Sequence, residues 1–160
     1  MTHQRIIVNR YGGPEELRLI EEACPEARQG EVRVKVLAAG VSLPHIMMGE
    51  GIHPETPPLS FTPGWDLVGV IDRPGDGVYG VKPGQTVAAL PISGAYAEFA
   101  CLPQDEVVAV PPGVDAAEAV SLILNYVTAY QMLHRSAKVR SGERALIHGA
   151  TGGVGSAILQ

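Results

Sequence analysis

Basic residues are scarce in this chain: 12 lysines and arginines stand against 17 aspartates and glutamates, for a formal charge of -5. A surface for nucleic acid or anionic membrane needs clustered Lys and Arg. The one basic group, Arg135, Lys138, Arg140 and Arg144, reads as a solvated helix end whose cations complement the helix dipole. Neither a nucleic-acid nor a membrane partner is expected. Cysteine is nearly absent too. Cys24 and Cys101 are too few for a disulfide framework and lack CxxC spacing, so both are expected to be ordinary buried thiols. No apolar run approaches the length of a membrane span, and Met1 to Arg10 lacks the cationic-then-apolar order of a secretory leader. The cytoplasm is therefore the expected compartment. GxSxG elbows, HExxH helices and metal-spaced cysteine pairs are missing, which leaves hydrolase chemistry without support.

What is present suits a folded domain. The 160 residues are 46% hydrophobic, enough to bury roughly two thirds of the unfolded surface if they form one domain. Ile6 to Val8 reads as a first strand, stopped by Gly12-Gly13-Pro14, with Leu17 to Ile20 as its partner. Glu31 to Ala38 alternates most clearly, with Val32, Val34, Val36 and Ala38 on one face and Arg33 and Lys35 opposite. Leu67 to Ile71, Thr86 to Leu90, Ala95 to Cys101 and Val107 to Val110 continue as short strands punctuated by Pro-Gly turns. Nothing between those turns recurs at a fixed period. The spacing predicts a small, irregular, partly closed β-barrel.

The character changes at Asp115. Asp115 followed by Glu118 resembles a capping box, and Ala119, Val120, Leu122, Ile123 and Leu124 are apolar around most of a helix, which should therefore be buried. Tyr126, Tyr130 and Leu133 at helical spacing predict a second helix running to about Lys138, before the Ser141-Gly142 turn. The domain border is expected within these helices, near Asn125.

The last residues form the most informative stretch. Ala145, Leu146 and Ile147 make a short apolar run of the kind a buried parallel strand shows, and Ser156 to Leu159 restart a helical pattern. Between them, Ala150, Gly152 and Gly155 take the three positions of a dinucleotide-binding fingerprint, with Gly153 and Val154 inside the loop. In that fingerprint the first position makes the tight turn, the second lets backbone approach a pyrophosphate, and the third lets helix pack on strand. The helix start then offers free N–H groups to phosphate oxygens. A lone strand here has no neighbour for its backbone groups. Pairing with another chain, disorder beyond about Arg144, or a longer natural chain is expected.

Four stretches, AAGVSLPHIMMGEGIHP, PGWDLVGVI, GAYAEFACLP and LILNYVTAYQMLHRSAKVRSGERALIHGATGGVG, resemble the amino-terminal half of a medium-chain dehydrogenase/reductase of the zinc-independent quinone oxidoreductase branch. The resemblance implies a mostly β fold with helices: a GroES-like catalytic domain over residues 1–124, then a connecting helix and the first strand-loop-helix of a Rossmann domain, incomplete, over 125–160. It implies NADPH, with NADH possible, in the cleft between domains, a small electrophilic substrate, and a homo-oligomer such as a dimer. A full member would be about twice this length, with a complete Rossmann domain following. The acidic or basic residue that reads the ribose is expected about 20 residues past the glycines, beyond Gln160, so the preference for NADPH comes from the resemblance alone.

Within the same resemblance, the zinc positions of the alcohol dehydrogenases read Ser42 and Gly64-Trp65-Asp66 here. A hydroxyl and an indole do not replace a thiolate and an imidazole on Zn²⁺, so no metal is expected. Hydride transfer then needs a positioned acceptor and hydrogen bonds where oxyanion or enolate charge develops. Quinones, activated enones and enoyl thioesters fit. Where relatives carry Gly-Val-Asn-x-x-Asp, this chain has Gly40-Val41-Ser42-Leu43-Pro44-His45, so Ser42 can still donate and His45 exchanges an acid for a base. His53 takes the place of a tyrosine found in some relatives and is a candidate proton donor, or a surface-loop histidine before Pro54. Thr128 matches the family threonine near the cofactor phosphate and ribose, with Asn125 one turn earlier; both also suit helix caps. The pyrophosphate cradle is Ala150, Gly152, Gly153, Val154 and Gly155.

Three functions compete. A zinc-independent NAD(P)H-dependent reductase comes first, the 160 residues alone being inactive. A zinc alcohol dehydrogenase and a non-catalytic GroES-like module for oligomerisation or partner binding are the alternatives.

Overall fold

The computed structural model describes all residues, 1–160. β1 (Thr2–Val8) and β2 (Leu17–Ala23) form an antiparallel hairpin in register from Thr2↔Ala23 to Val8↔Leu17, turning through Gly12-Gly13-Pro14. After β3 (Glu31–Ala39) come α1 (Leu43–Gly49), β4 (Leu67–Pro74), β5 (Thr86–Ala89), β6 (Phe99–Pro103) and β7 (Val107–Ala109). The five strands pair antiparallel in the order β6-β3-β4-β5-β7. Bridges Arg5↔Ala97 and Val8↔Phe61 tie the hairpin to this sheet and curl the whole into a half-barrel. Val32, Val34, Leu67, Ile71, Val87 and Leu102 fill it. The expected mostly β architecture with accompanying helices is thus the observed fold.

β3 departs from simple alternation. Its register on β4 shifts between Arg33 and Val34 and again between Val36 and Ala38, and each bulge re-aims the side chains that follow. Arg33, which precedes the first shift, is also buried, at 4% exposure. Its Nε donates to Asp72 at 2.6 Å, Nη1 donates to the Pro25 carbonyl at 2.9 Å, and the guanidinium lies 5.6 Å from the Phe99 ring centre. The expected strand over Ala95 to Cys101 starts its ladder only at Phe99, because Ala95 and Tyr96 bond to the Pro63-Gly64 segment instead.

Asp115 caps the next helix as its sequence suggested, accepting from the N–H groups of Ala117 at 2.8 Å and Glu118 at 3.1 Å. α2 (Ala116–Tyr130) is one uninterrupted helix that passes into a π-helical turn over Gln131–Ser136, so no second helix begins at Tyr126. Nor is it buried all round. Ala119 and Val120 pack on Val68 of β4 while Leu122 remains 48% exposed. A helix laid on one face of a sheet covers one stripe only.

Ala145 to Ile147 carries no ladder, and Leu146 is 85% exposed. A strand exists only through hydrogen bonds to a neighbour, and no strand of this chain pairs with it. α3 (Gly153–Ile158) nevertheless forms and packs on α2. Cys24 and Cys101 are half-buried, and burial pushes the Cys101 thiol up to about 11. No helix is long and apolar enough to cross a membrane.

Candidate functional site

The start of α1 is held by a three-way contact around His45, which is 5% exposed. The Ser42 N–H points at its Nδ1 from 3.0 Å and the Trp65 N–H points at its Nε2 from 3.0 Å. Tyr96 Oη also lies 3.1 Å from Nδ1, while its own O–H donates to the Gly40 carbonyl at 3.0 Å. A neutral imidazole has one donor and one acceptor nitrogen. With the proton on Nδ1 it donates to Tyr96 and accepts from Trp65, and the Ser42 N–H goes without a lone pair. Burial pushes the pKa of His45 down, which favours this neutral form.

Asp66 sits beneath the same segment at 4% exposure, its carboxylate so close to Gly40 that a Cβ there would fall 2.5 Å from Oδ1. Oδ1 has no hydrogen-bond partner, and burial pushes the carboxyl above its ordinary range, partly offset by nearby backbone. Tyr96 is pushed up to about 12 by burial and by the charge of Asp66. Neither Asp66 nor Tyr96 was singled out from sequence as part of a site.

In front of this support lies an open cleft of about 520 Å³. It brings together Ser42, His53, Asn125, Thr128, Gly153 and Val154, six of the residues chosen from sequence, with Trp65 as a further wall. His45 is not among them; it faces the opposite side of α1. The Nδ1 of His53 accepts from the Glu55 N–H at 3.1 Å, which places the ring proton on Nε2. Its ring meets Trp65 edge-to-face at 5.1 Å and 86°. Thr128 lies inside α2 and donates its hydroxyl to the Leu124 carbonyl at 2.7 Å, leaving oxygen lone pairs for a ligand. Asn125 is also mid-helix, so neither residue is a cap.

The glycine loop is built as a close-approach turn, with one reassignment. The tight turn falls on Gly149, at φ +68°, and not on Ala150; the Gly152 N–H returns to the Gly149 carbonyl at 2.9 Å. Gly155 packs helix against turn, since a Cβ there would stand 2.1 Å from the Gly149 oxygen. Gly153 faces the Asn125 amide, which a Cβ would meet at 2.8 Å. A glycine immediately before the fingerprint was the available signal for Gly149. This surface, bare of side chains beside Thr128 and Asn125, fits a dinucleotide pyrophosphate. Ser42 and Trp65 stand where the alcohol dehydrogenases carry zinc ligands, and a hydroxyl and an indole are poor donors for that metal.

Residues 28–112 match the alcohol dehydrogenase GroES-like domain family. Rat quinone oxidoreductase is 39% identical over 157 residues, which cover 97% of this chain and 48% of that protein. The crystal structure of human synaptic vesicle membrane protein VAT-1 homolog-like protein superposes with a TM-score of 0.94 at 34% identity, covering 99% of this chain and 51% of that one. A mycobacterial protein, Rv1454c, complexed with NADPH, gives a TM-score of 0.89 at 30% identity over 97% of this chain and 48% of that one. The chain spans from 37% to 50% of the length of its curated relatives.

Proposed function

This chain belongs to the quinone oxidoreductase branch of the medium-chain dehydrogenase/reductase superfamily, and from that premise we propose that the protein carrying it transfers hydride from NADPH, without zinc, to a quinone, an enone or an enoyl thioester. The observation that carries this reading is the convergence of Ser42, His53, Asn125, Thr128 and Gly153 on one cleft from three separate segments. When bound, the reduced nicotinamide supplies the hydride. The chain supplies the rest.

Gly152 to Gly155 would hold the pyrophosphate by their backbone, and Thr128 and Asn125 would flank it. The Ser42 hydroxyl and the His53 Nε2–H donate hydrogen bonds to the acceptor oxygen on which negative charge develops. Held in its Nε2–H form by Glu55, His53 serves first as a hydrogen-bond donor. Releasing a proton to the reduced product takes the imidazolium, which gives up the Glu55 bond. His45 is a positioning residue: it does not line the cleft itself, and its Nε2 holds the backbone N–H of Trp65, which does. The preference for NADPH over NADH is supported by the NADPH-bound structural relative.

The test is calorimetric titration of the protein with NADPH and with NADH, followed by acceptor-dependent oxidation of the reduced cofactor. Tighter binding of NADPH with turnover of at least one acceptor class is expected. Absence of both binding and turnover would replace this reading with a non-catalytic GroES-like interaction module.

A further inference from the structure

Behind α1, on the side away from the cleft, lies a second and smaller pocket of about 100 Å³. The Gly12-Gly13-Pro14 turn forms its roof, fixed to α1 by the Gly12 N–H donating to the Gly49 carbonyl at 2.9 Å. Because the turn and Gly49 meet without side chains, space remains between them; a Cβ on Gly49 would find only the Gly12 oxygen, at 3.9 Å. Ile46 makes one wall and the rings of His45 and Tyr96 make the floor.

Two polar side chains on the floor would normally suggest a polar ligand. Here their polar atoms are already engaged: His45 Nδ1 with Tyr96, His45 Nε2 with Trp65, and the Tyr96 O–H with Gly40. Ring carbon is what they offer to an occupant. A polar group entering the pocket would lose water and gain no partner, which leaves an apolar occupant. Val41, 80% exposed, lines both this pocket and the cleft in front of α1, so the two are neighbours across one side chain.

We propose that this pocket binds the aliphatic substituent of the hydride acceptor, which runs from the cleft over Val41 and ends beneath the Gly12-Gly13-Pro14 turn. Against an apolar cavity of ~150 Å³ that takes benzene, the pocket has room for about four chain carbons. The inference rests on the reductase reading of the cleft and adds to it a chain-length preference: acceptors bearing a short alkyl chain over those bearing a methyl group.

A homologous series of alkyl vinyl ketones tests it. With NADPH saturating, kcat/KM rises about fourfold for each methylene that enters the pocket once the chain is long enough to pass Val41, the value of burying each one, and levels off about four carbons later. Ile46→Trp fills the pocket and removes the rise while methyl vinyl ketone keeps its kcat/KM to within about twofold. Ile46→Ala enlarges the pocket and moves the plateau to longer chains. A flat series in the unaltered protein, or the same slope in all three proteins, overturns the proposal and leaves the reductase reading standing. If no acceptor oxidises NADPH, the reductase reading fails instead, and saturated alkyl methyl ketones titrated into the protein decide the pocket. Affinity that climbs with chain length and is lost in Ile46→Trp sustains it; chain-independent affinity overturns it.

Discussion

The Nε2 of His45 accepts a hydrogen bond from the Trp65 backbone N–H at 3.0 Å, joining the first turn of α1 to the segment that leads into β4. A buried neutral imidazole therefore supports two walls of the cleft, and its titration is coupled to folding. Burial depresses the pKa of His45 from its ordinary 6.5. Below about pH 6.5 the unfolded chain takes up a proton before the folded one does, so this residue's contribution is complete above that pH and declines as pH falls toward the depressed folded value. The limiting slope is about 1.4 kcal/mol per pH unit. His45→Gln should flatten that part of the profile in urea unfolding. Asp66, whose carboxyl is raised by burial, acts with the opposite sign at lower pH, so comparison with the variant isolates the histidine. An unchanged profile in His45→Gln would show that His45 does not titrate between the two states.

Arg33 and Asp72 give a second prediction. The guanidinium is almost fully buried while the carboxylate is 34% exposed, and they meet at 2.6 Å. Asp72→Asn leaves the buried cation with the Pro25 carbonyl and Glu26. Removing one member of a buried pair is costly because the other charge stays behind, and a loss of about 2 kcal/mol in unfolding free energy is expected, below the usual range since partners remain. Arg33→Met, which removes the charge and keeps the apolar stem, should cost less than Asp72→Asn. Equal costs would contradict the argument.

At the start of α2, Asp115 accepts from two otherwise free N–H groups of the helix. Asp115→Ala should lower stability by about 1 kcal/mol, with Asp115→Ser recovering most of it. Chemical denaturation checks both, and a serine variant as weak as alanine would assign the effect to charge and not to capping.

The strands were legible where neighbouring residues alone determine structure. Val32 and Val34 alternate, Pro-Gly pairs end strands, and Asp115 marks the start of α2 three residues before Glu118. The burial of Arg33 was not legible, because it depends on Asp72, a distant residue on a bulged neighbour, and no local pattern contains that information. The all-round apolar run of α2 overstated its burial for a related reason: composition does not say how many faces the fold will cover. Ala145 to Ile147 has the composition of a strand, but pairing is a property of two segments. In the cleft, Thr128 and the glycines were readable as a motif. The place of His45 behind α1, the aromatic contact of His53 with Trp65, and the turn at Gly149 follow from three-dimensional packing.

The glycine loop separates two effects that a single substitution would confuse. At Gly155 an added Cβ meets backbone, the Gly149 oxygen at 2.1 Å and the Ala150 Cα at 2.7 Å, so α3 must move away from the turn. Gly155→Ala should lose about 1–3 kcal/mol of stability by overpacking, together with affinity for NADPH if the loop is its cradle. At Gly153 the obstacle is a side chain, the Asn125 amide at 2.8 Å, which can rotate away. Gly153→Ala should therefore cost little stability in an Asn125→Ala background and more with Asn125 present, a coupling that a double-mutant cycle by thermal unfolding measures directly. NADPH affinity behaves differently. A methyl group on the cleft-facing Gly153 blocks backbone approach whether or not Asn125 is there, so restored stability without restored NADPH binding is the expected result. Recovery of both together would place the clash, and not the cradle, at the origin of the effect.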